Sequence, residues 1–259
     1  MKLGKKVAVV TGAGRGLGRA TVLALAREGA RVTILSRSRD ELETLAGQIE
    51  DLGGTCLVFE GDVSRPDDVV RLIRQTEKYF RTVDILVNNA AVIGPVRFPE
   101  DADFESWKRT LDINLNGPFY CIRTVLPLMR RKGSGKILNI VSGLGRMPFP
   151  RFCAYSVSKA GMIQLTRSLS EELKPHNIQV NAVDPGVMDT SMQEKIRDMG
   201  PDMLGENLHR HFIRYKEQGE LKDPAEVASL AVFLASADSG HLTGRSGTLG
   251  DYRHLGWKK

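Results

Sequence analysis

The chain has 259 residues, 41% hydrophobic and 26% charged, which suits one large folded core and excludes a disordered or fibrous chain. Lysine and arginine number 37 against 31 acids, a net charge of +6, but the basic residues are scattered apart from Arg130-Arg131-Lys132. That spread favours a phosphate-rich small molecule or a soluble basic surface over nucleic acid. Cys56, Cys121 and Cys153 form neither a disulfide framework nor a zinc motif, and no apolar run is long enough to span a bilayer, so a cytoplasmic protein without metal or membrane association is expected.

Lys6 to Val10 is a short β-branched run that reads as a buried strand. It leads into Thr11-Gly12-Ala13-Gly14-Arg15-Gly16-Leu17-Gly18 and then a helical pattern carrying Ala20, Leu23, Ala24 and Ala26. Glycines after a strand let a backbone approach a pyrophosphate, and the free N–H groups of the next helix bind it. The spacing is Gly12-x-x-x-Gly16-x-Gly18, and no Gly-Lys-Ser/Thr follows, which argues against a nucleoside-triphosphate loop.

Strands and helices then alternate. Arg31–Leu35 and Thr55–Phe59 are expected strands, with a helix over Asp40–Leu52 between them. Ser64-Arg65-Pro66-Asp67 opens the next helix, and Val83–Val87 is the fourth strand, ending in Asn88-Asn89-Ala90-Ala91. One long helix is expected over Phe104–Lys132, with Asn114, Asn116, Gly117 and Pro118 in its middle. Lys136–Val141 is a strand ending in Ser142-Gly143, Ala154–Leu173 a helix, and Ile178–Val183 a strand ending in Asp184-Pro185-Gly186. Pro224–Ala235 is a helix and Ser246–Leu249 a short last strand. This order predicts an α/β fold of Rossmann type, a doubly wound parallel sheet in a single domain over 1–259. Polar and glycine clusters fall at five strand carboxyl ends, where such sheets bind ligands.

Tyr155 and Lys159 stand one helical turn apart on one face. An ammonium beside a phenol is expected to draw the phenol pKa down from near 10, making a group that trades protons with a carbonyl or alcohol oxygen. Ser142, at a strand end, can hold that oxygen. In its motifs the chain resembles the short-chain dehydrogenase/reductase family, in its short single-domain branch, over nearly its whole length. The matching residues are Thr11-Gly12-x-x-x-Gly16-x-Gly18, Asp62-Val63, Asn88-Asn89-Ala90, Ser142, Tyr155-x-x-x-Lys159 and Pro185-Gly186. The resemblance implies a catalytic set of Asn114, Ser142, Tyr155 and Lys159, with Asn114 holding a water in a proton relay. It also implies that Asp62 and Val63 contact adenine, that Asn89 and Ala90 line the cofactor site, and that Pro185, Gly186, Val187 and Thr190 flank the nicotinamide. The family's usual Asn before Pro-Gly is Asp184 here, and its Gly after Asn-Asn-Ala is Ala91.

The second strand ends Leu35-Ser36-Arg37-Ser38-Arg39, with no acid before Asp40. A carboxylate there would select NAD, whereas Ser36, Arg37, Ser38 and Arg15 offer donors to a 2′-phosphate, so NADP(H) is expected. Leu144, Met147 and Phe149 are expected to form an apolar substrate wall beside Ser142 and Tyr155. Residues 187–222, rich in charge and methionine, are expected to act as a lid, with His209 and His211 solvated. The readings carried forward are an NADP(H)-dependent enzyme interconverting a small-molecule carbonyl and an alcohol, a 3-oxoacyl-[acyl-carrier-protein] reductase, and a non-catalytic NADP(H)-binding regulator. Carrier-protein docking in similar enzymes uses arginines, and the corresponding places hold Gly133 and His176, with Lys132 and Lys174 adjacent. Apolar Leu126, Met129, Ile163 and Leu165 suggest pairing of two long helices in a homotetramer or homodimer.

Overall fold

The computed structural model describes residues 1–258. Its strands are β1 (Val7–Thr11), β2 (Arg31–Ser36), β3 (Cys56–Glu60), β4 (Ile85–Asn88), β5 (Gly135–Ile140), β6 (Ile178–Val183) and β7 (Ser246–Gly247). They pair in parallel in the order β3-β2-β1-β4-β5-β6-β7, so the chain reverses its winding direction between β1 and β4. The helices are α1 (Gly16–Arg27), α2 (Arg39–Asp51), α3 (Pro66–Phe80), α4 (Phe104–Leu111), α5 (Gly117–Lys132), α6 (Cys153–Leu173), α7 (Ser191–Asp198), α8 (Gly200–Leu204), α9 (Glu206–Glu217), α10 (Pro224–Ala235) and α11 (Leu249–His254).

Both sheet faces are covered, which is why the strands read as continuous apolar runs. In β1, Ala8 and Val10 join the core under α1, α2 and α10, while Val9 joins the core under α3, α5 and α6. Ile34 and Leu35 of β2 divide the same way. Parallel pairing brings every strand carboxyl end to one edge of the sheet, and the polar clusters gather there.

Several elements differ from their sequence expectations. The helix expected over Phe104–Lys132 is α4 and α5 joined by a π-helical turn, Asp112–Asn116, in which the Gly117 N–H reaches back to the Asp112 carbonyl. The last strand stops at Gly247, because Thr248 caps α11 in a reciprocal pair with Asp251. Residues 187–222 hold three helices, α7 to α9, over a separate apolar core of Val96, Phe152, Ile196, Leu204 and Phe212. The two ends of that segment are stitched together, since Lys222 N–H donates to Val187 O (2.9 Å) and Asp189 N–H to Lys222 O (3.1 Å).

Met129 and Ile163, expected at an interface, are buried in the chain's own cores, and Leu126 and Leu165 pack against them. The exposed apolar residues on these helices are Phe104 (89% exposed), Phe119 and Val157. The carboxyl tail tucks inward. Tyr252 is fully buried and its hydroxyl donates to Ala182 O (2.9 Å), while Trp257 is buried in the same core under the Arg253 guanidinium.

Candidate active site

The pocket at the strand carboxyl ends encloses about 670 Å³ and runs from the glycine turn to the α7–α9 segment. Its first wall is the turn between β1 and α1. Gly12 has φ +64°, and a Cβ there would lie 2.7 Å from Ala90 Cα. At Gly18 a Cβ would lie 2.1 Å from the Gly12 carbonyl oxygen. Any side chain at either place would break the close approach of turn, helix and β4. Asn89 fixes that approach, donating from Nδ2 to the carbonyls of Thr11 (2.9 Å) and Gly12 (3.0 Å). Thr11 Oγ1 accepts from the N–H groups of Asn89 and Ala90, both at 3.1 Å. The role of Thr11 was not among the sequence expectations. Helix α1 begins without a side-chain cap and has no acid in its first turn, so its N–H groups and positive dipole end face the pocket. The turn therefore fits a pyrophosphate, as in a dinucleotide cofactor.

The next wall comes from β2 and β3. Ser36, Arg37 and Ser38 line the pocket, with Asp62 and Val63 beside them. Arg39 is spent on Glu43 (2.7 Å) and Arg15 on Glu41 (3.5 Å), whereas no ion pair holds Arg37 among the described residues. Glu41 itself lines the pocket. Its carboxylate presses on Gly14, where a Cβ would meet Oε2 at 2.5 Å. This acid escaped the sequence reading, which looked for one at the strand end; the first turn of α2 returns it there.

The reactive end is built by β5, α6 and β6. Ser142 follows β5, and its Oγ accepts from Leu144 N–H (3.3 Å) at the entry to a short 3₁₀ turn. Tyr155 and Lys159 project from the first turns of α6 into the same pocket. Lys159 is 3% exposed, its Nζ donates to Ile140 O (2.8 Å), and it lies 5.5 Å from the centre of the Tyr155 ring. The expected downward pull on the phenol is not what this arrangement gives. Burial pushes Tyr155 up to about 12; the Ser142 hydroxyl draws it back in part, and the Asp184 carboxylate adds to the rise. Burial pulls Lys159 down to about 8, with Asp184 opposing. Desolvation is the largest cause for both groups.

Asn114 stands apart from these three. It lies in the π-helical turn, 1% exposed, behind the pocket wall. Its Oδ1 accepts from Val92 N–H (2.8 Å), and its Nδ2 donates to Val92 O (2.8 Å) and Ser158 Oγ (3.1 Å). Both amide protons are used, so its side chain shapes the pocket by fixing Val92. Asn88 and Asn139 are similarly structural, linking β4, β5 and Thr166 of α6 through bonds of 2.9 Å each.

Every other expected site residue lines the pocket, including Pro185, Gly186, Val187 and Thr190 after β6. Leu144, Met147 and Phe149 form part of its far wall, joined by Met192, Phe212 and Tyr215 from the α7–α9 segment. His211 is not merely solvated, because its ring packs on Phe149 (5.7 Å), Phe212 (5.6 Å) and Tyr215 (5.1 Å). Among the described residues, no cluster of His, Cys, Asp and Glu could hold a metal ion.

The short chain dehydrogenase family model matches residues 6–200. The chain belongs to the short chain dehydrogenase family. This dehydrogenase is 34% identical over 248 residues to a 3-oxoacyl-[acyl-carrier-protein] reductase of Thermotoga maritima, covering 95% of this chain and 96% of that one. A short-chain type dehydrogenase/reductase from Mycobacterium marinum superposes with a TM-score of 0.86 at 30% identity, over 95% of this chain and 94% of that chain. An NAD⁺-bound xylitol dehydrogenase gives 0.86 at 27% identity, over 96% and 99%. The protein is therefore an oxidoreductase that uses a nicotinamide cofactor, and the reading as a non-catalytic regulator falls away.

Proposed function

We propose that this dehydrogenase interconverts a small, largely apolar ketone or aldehyde and its alcohol, with NADP(H) as the hydride carrier. The observation that supports this most directly is the convergence of Ser142, Tyr155 and Lys159 on a pocket that also holds an uncapped helix N-terminus. The cofactor would lie with its pyrophosphate on Gly16–Gly18, its adenosine end by Ser36, Arg37, Ser38, Asp62 and Val63, its middle by Asn89 and Ala90, and its nicotinamide end by Lys159 and the Pro185–Thr190 turn. When bound, it supplies or accepts the hydride. Ser142 holds the substrate oxygen. Tyr155, kept in its acid form at neutral pH by burial, gives its proton to that oxygen in reduction and recovers it in oxidation. Lys159 places a positive charge behind the phenolate that remains. With the Asn114 side chain committed to Val92 and Ser158, any part it takes in a proton relay falls to its main-chain carbonyl.

Preference for NADP(H) over NAD(H) rests on Arg37, which is exposed at the pocket rim and carries no ion pair among the described residues. A charge-assisted phosphate contact contributes about 1.5–3 kcal/mol, or at least about tenfold in catalytic efficiency. Glu41 opposes this preference from beside Arg15.

Helices α7–α9 act as a lid that closes the substrate end with Met192, Phe212 and Tyr215. The name of the Thermotoga relative favours a second reading, a 3-oxoacyl thioester on a carrier protein. The basic end of α5 gives that reading little support, because Arg131 is paired with Glu77 and Lys132 with Asp84. A cytoplasmic homotetramer or homodimer is proposed on the exposed Phe104, Phe119 and Val157 of α4, α5 and α6. The test is NADPH and NADH consumption against a panel of ketones, aldehydes and acyl thioesters, repeated with Tyr155→Phe. Loss of turnover by about 10²–10⁴-fold with cofactor binding intact is expected; near-normal turnover in that variant would remove Tyr155 from its role.

A further inference from the structure

A charged pair that the reaction does not consume lies beside Tyr155. Asp184, directly after β6, is 5% exposed and lines the pocket with Ser142, Tyr155 and Lys159. Its Oδ1 accepts from Gly186 N–H (3.1 Å), and its own N–H donates to Gly247 O (2.8 Å). Its Oδ2 lies 3.3 Å from Arg146 Nη1, and against Gly143, where a Cβ would meet it at 3.4 Å. Arg146 follows the 3₁₀ turn that Ser142 opens, and its Nη2 donates to Ser246 Oγ (2.7 Å). The guanidinium is about one-third exposed. A carboxylate is thus held out of water inside the reactive end, and its one cation partner among the described residues, Arg146, reaches it from the edge.

We propose that Asp184 and Arg146 are a positioning pair that sets the pH at which Tyr155 gives up its proton: the carboxylate holds the phenol in its acid form, and the guanidinium limits that hold. The inference rests on the reading of Tyr155 as the general acid. A negative charge near a phenol opposes phenolate, and a neighbouring cation offsets it. The groups facing Tyr155 are Lys159 from its own helix, Ser142 from the end of β5 and Asp184 from the end of β6. Asp184 favours the proton on Tyr155 and on Lys159 alike. Arg146 also acts on Asp251 and Tyr252 of α11, and the Lys222 ammonium lies against Gly186. Removing Arg146 therefore has consequences beyond Asp184, and a charge-retaining variant has to accompany it.

The pair biases the enzyme toward reduction, because a phenol that keeps its proton to higher pH remains an acid for longer and becomes a base later. The test is titration of the Tyr155 ¹³Cζ resonance in tyrosine-labelled protein with saturating NADP⁺, assigned by its loss in Tyr155→Phe. Asp184→Asn should lower the Tyr155 midpoint by about 0.5–1 pH unit, and Arg146→Gln should raise it by a similar amount. Arg146→Lys should stay near the parent value. In the Asp184→Asn background, Arg146→Gln should move the midpoint far less. An unchanged midpoint in Asp184→Asn would overturn the proposal, as would an Arg146→Gln effect of the same size in both backgrounds. Asp184→Asn keeps the bond from Gly186 and carries the test alone if the Arg146 variants do not fold, which the buried Tyr252 resonance reports. The readout needs no turnover. Retained turnover in Tyr155→Phe would sink the general-acid reading, while unmoved midpoints in an enzyme that loses turnover in Tyr155→Phe would sink only this inference.

Discussion

Replacing Lys159 with methionine should abolish activity and make the protein more stable. Lys159 is 3% exposed, its Nζ has Ile140 O as its hydrogen-bond partner at 2.8 Å, and burial pulls it down to about 8. The gap from the ordinary lysine value corresponds to about 3 kcal/mol, at about 1.4 kcal/mol per pH unit. Met fills a similar volume with no charge to desolvate, but it loses the bond to Ile140 O, worth about 1 kcal/mol. The net expectation near pH 7 is a gain of about 2 kcal/mol, or roughly 4–6 °C in melting temperature for a chain of this size. The sign with pH follows from proton linkage. Between about 8 and the unfolded lysine value the unfolded chain binds more protons than the folded one, so parent stability rises with pH across that window. The advantage of Lys159→Met should therefore be full below about pH 8 and fade by about pH 10.5. Urea unfolding at pH 7 and pH 10, at matched protein concentration, measures it. A variant less stable than the parent at pH 7, or a difference that does not shrink with pH, would show that Lys159 is better solvated than this geometry implies.

Three further outcomes are expected. Arg37→Asp should lower catalytic efficiency with NADPH by at least about tenfold, while Glu41→Gln should improve it by freeing Arg15; the reverse order in steady-state kinetics would place the 2′-phosphate elsewhere. Gly18→Ala should abolish cofactor binding by fluorescence titration, because its Cβ would lie 2.1 Å from the Gly12 carbonyl oxygen; NADPH affinity within twofold of the parent would contradict the tight turn. Light scattering at micromolar concentration should give a dimer or tetramer, and a mass of 28.6 kDa would refute the association.

The sheet was legible because parallel strands buried on both faces carry continuous apolar runs, and their ends announce themselves with glycine, asparagine and serine. Ile178–Val183 and Pro224–Ala235 fall where the pattern places them. Boundaries failed where a cap decides the matter: Thr248 and Asp251 turn a nominal strand residue, Leu249, into a helix start. The π-helical turn was signalled only by a cluster of helix-averse residues around Asn114, and nothing in the sequence says that its amide is spent on Val92. Glu41 belongs to the pocket because the first turn of α2 folds it back toward the end of β2, which the order of residues alone does not show. The direction of the Tyr155 pKa was misread because a neighbouring ammonium is visible in sequence, whereas the desolvation of both groups appears only in three dimensions.

On the proposed function, the aromatic wall ties substrate recognition to proton delivery. Phe152 caps the start of α6, is fully buried, and packs on Phe149 (6.2 Å) and on Phe212 of α9 (6.0 Å). Three residues later in the chain stands Tyr155. The α7–α9 segment therefore rests on the element that aims the phenol, and a core packed at interior density passes displacement rather than absorbing it. Arg151, at the entry to α6, reinforces this seating: it sends a guanidinium N–H to Met203 O in α8 and stacks 4.4 Å over Phe98 from the loop after β4. Arg151 also holds φ +68°, a left-handed conformation in which a non-glycine residue persists when its surroundings fix it. One residue thus joins three parts of the pocket mouth, β4 loop, α6 entry and α8. A substrate that orders the wall would thereby order the acid that acts on it.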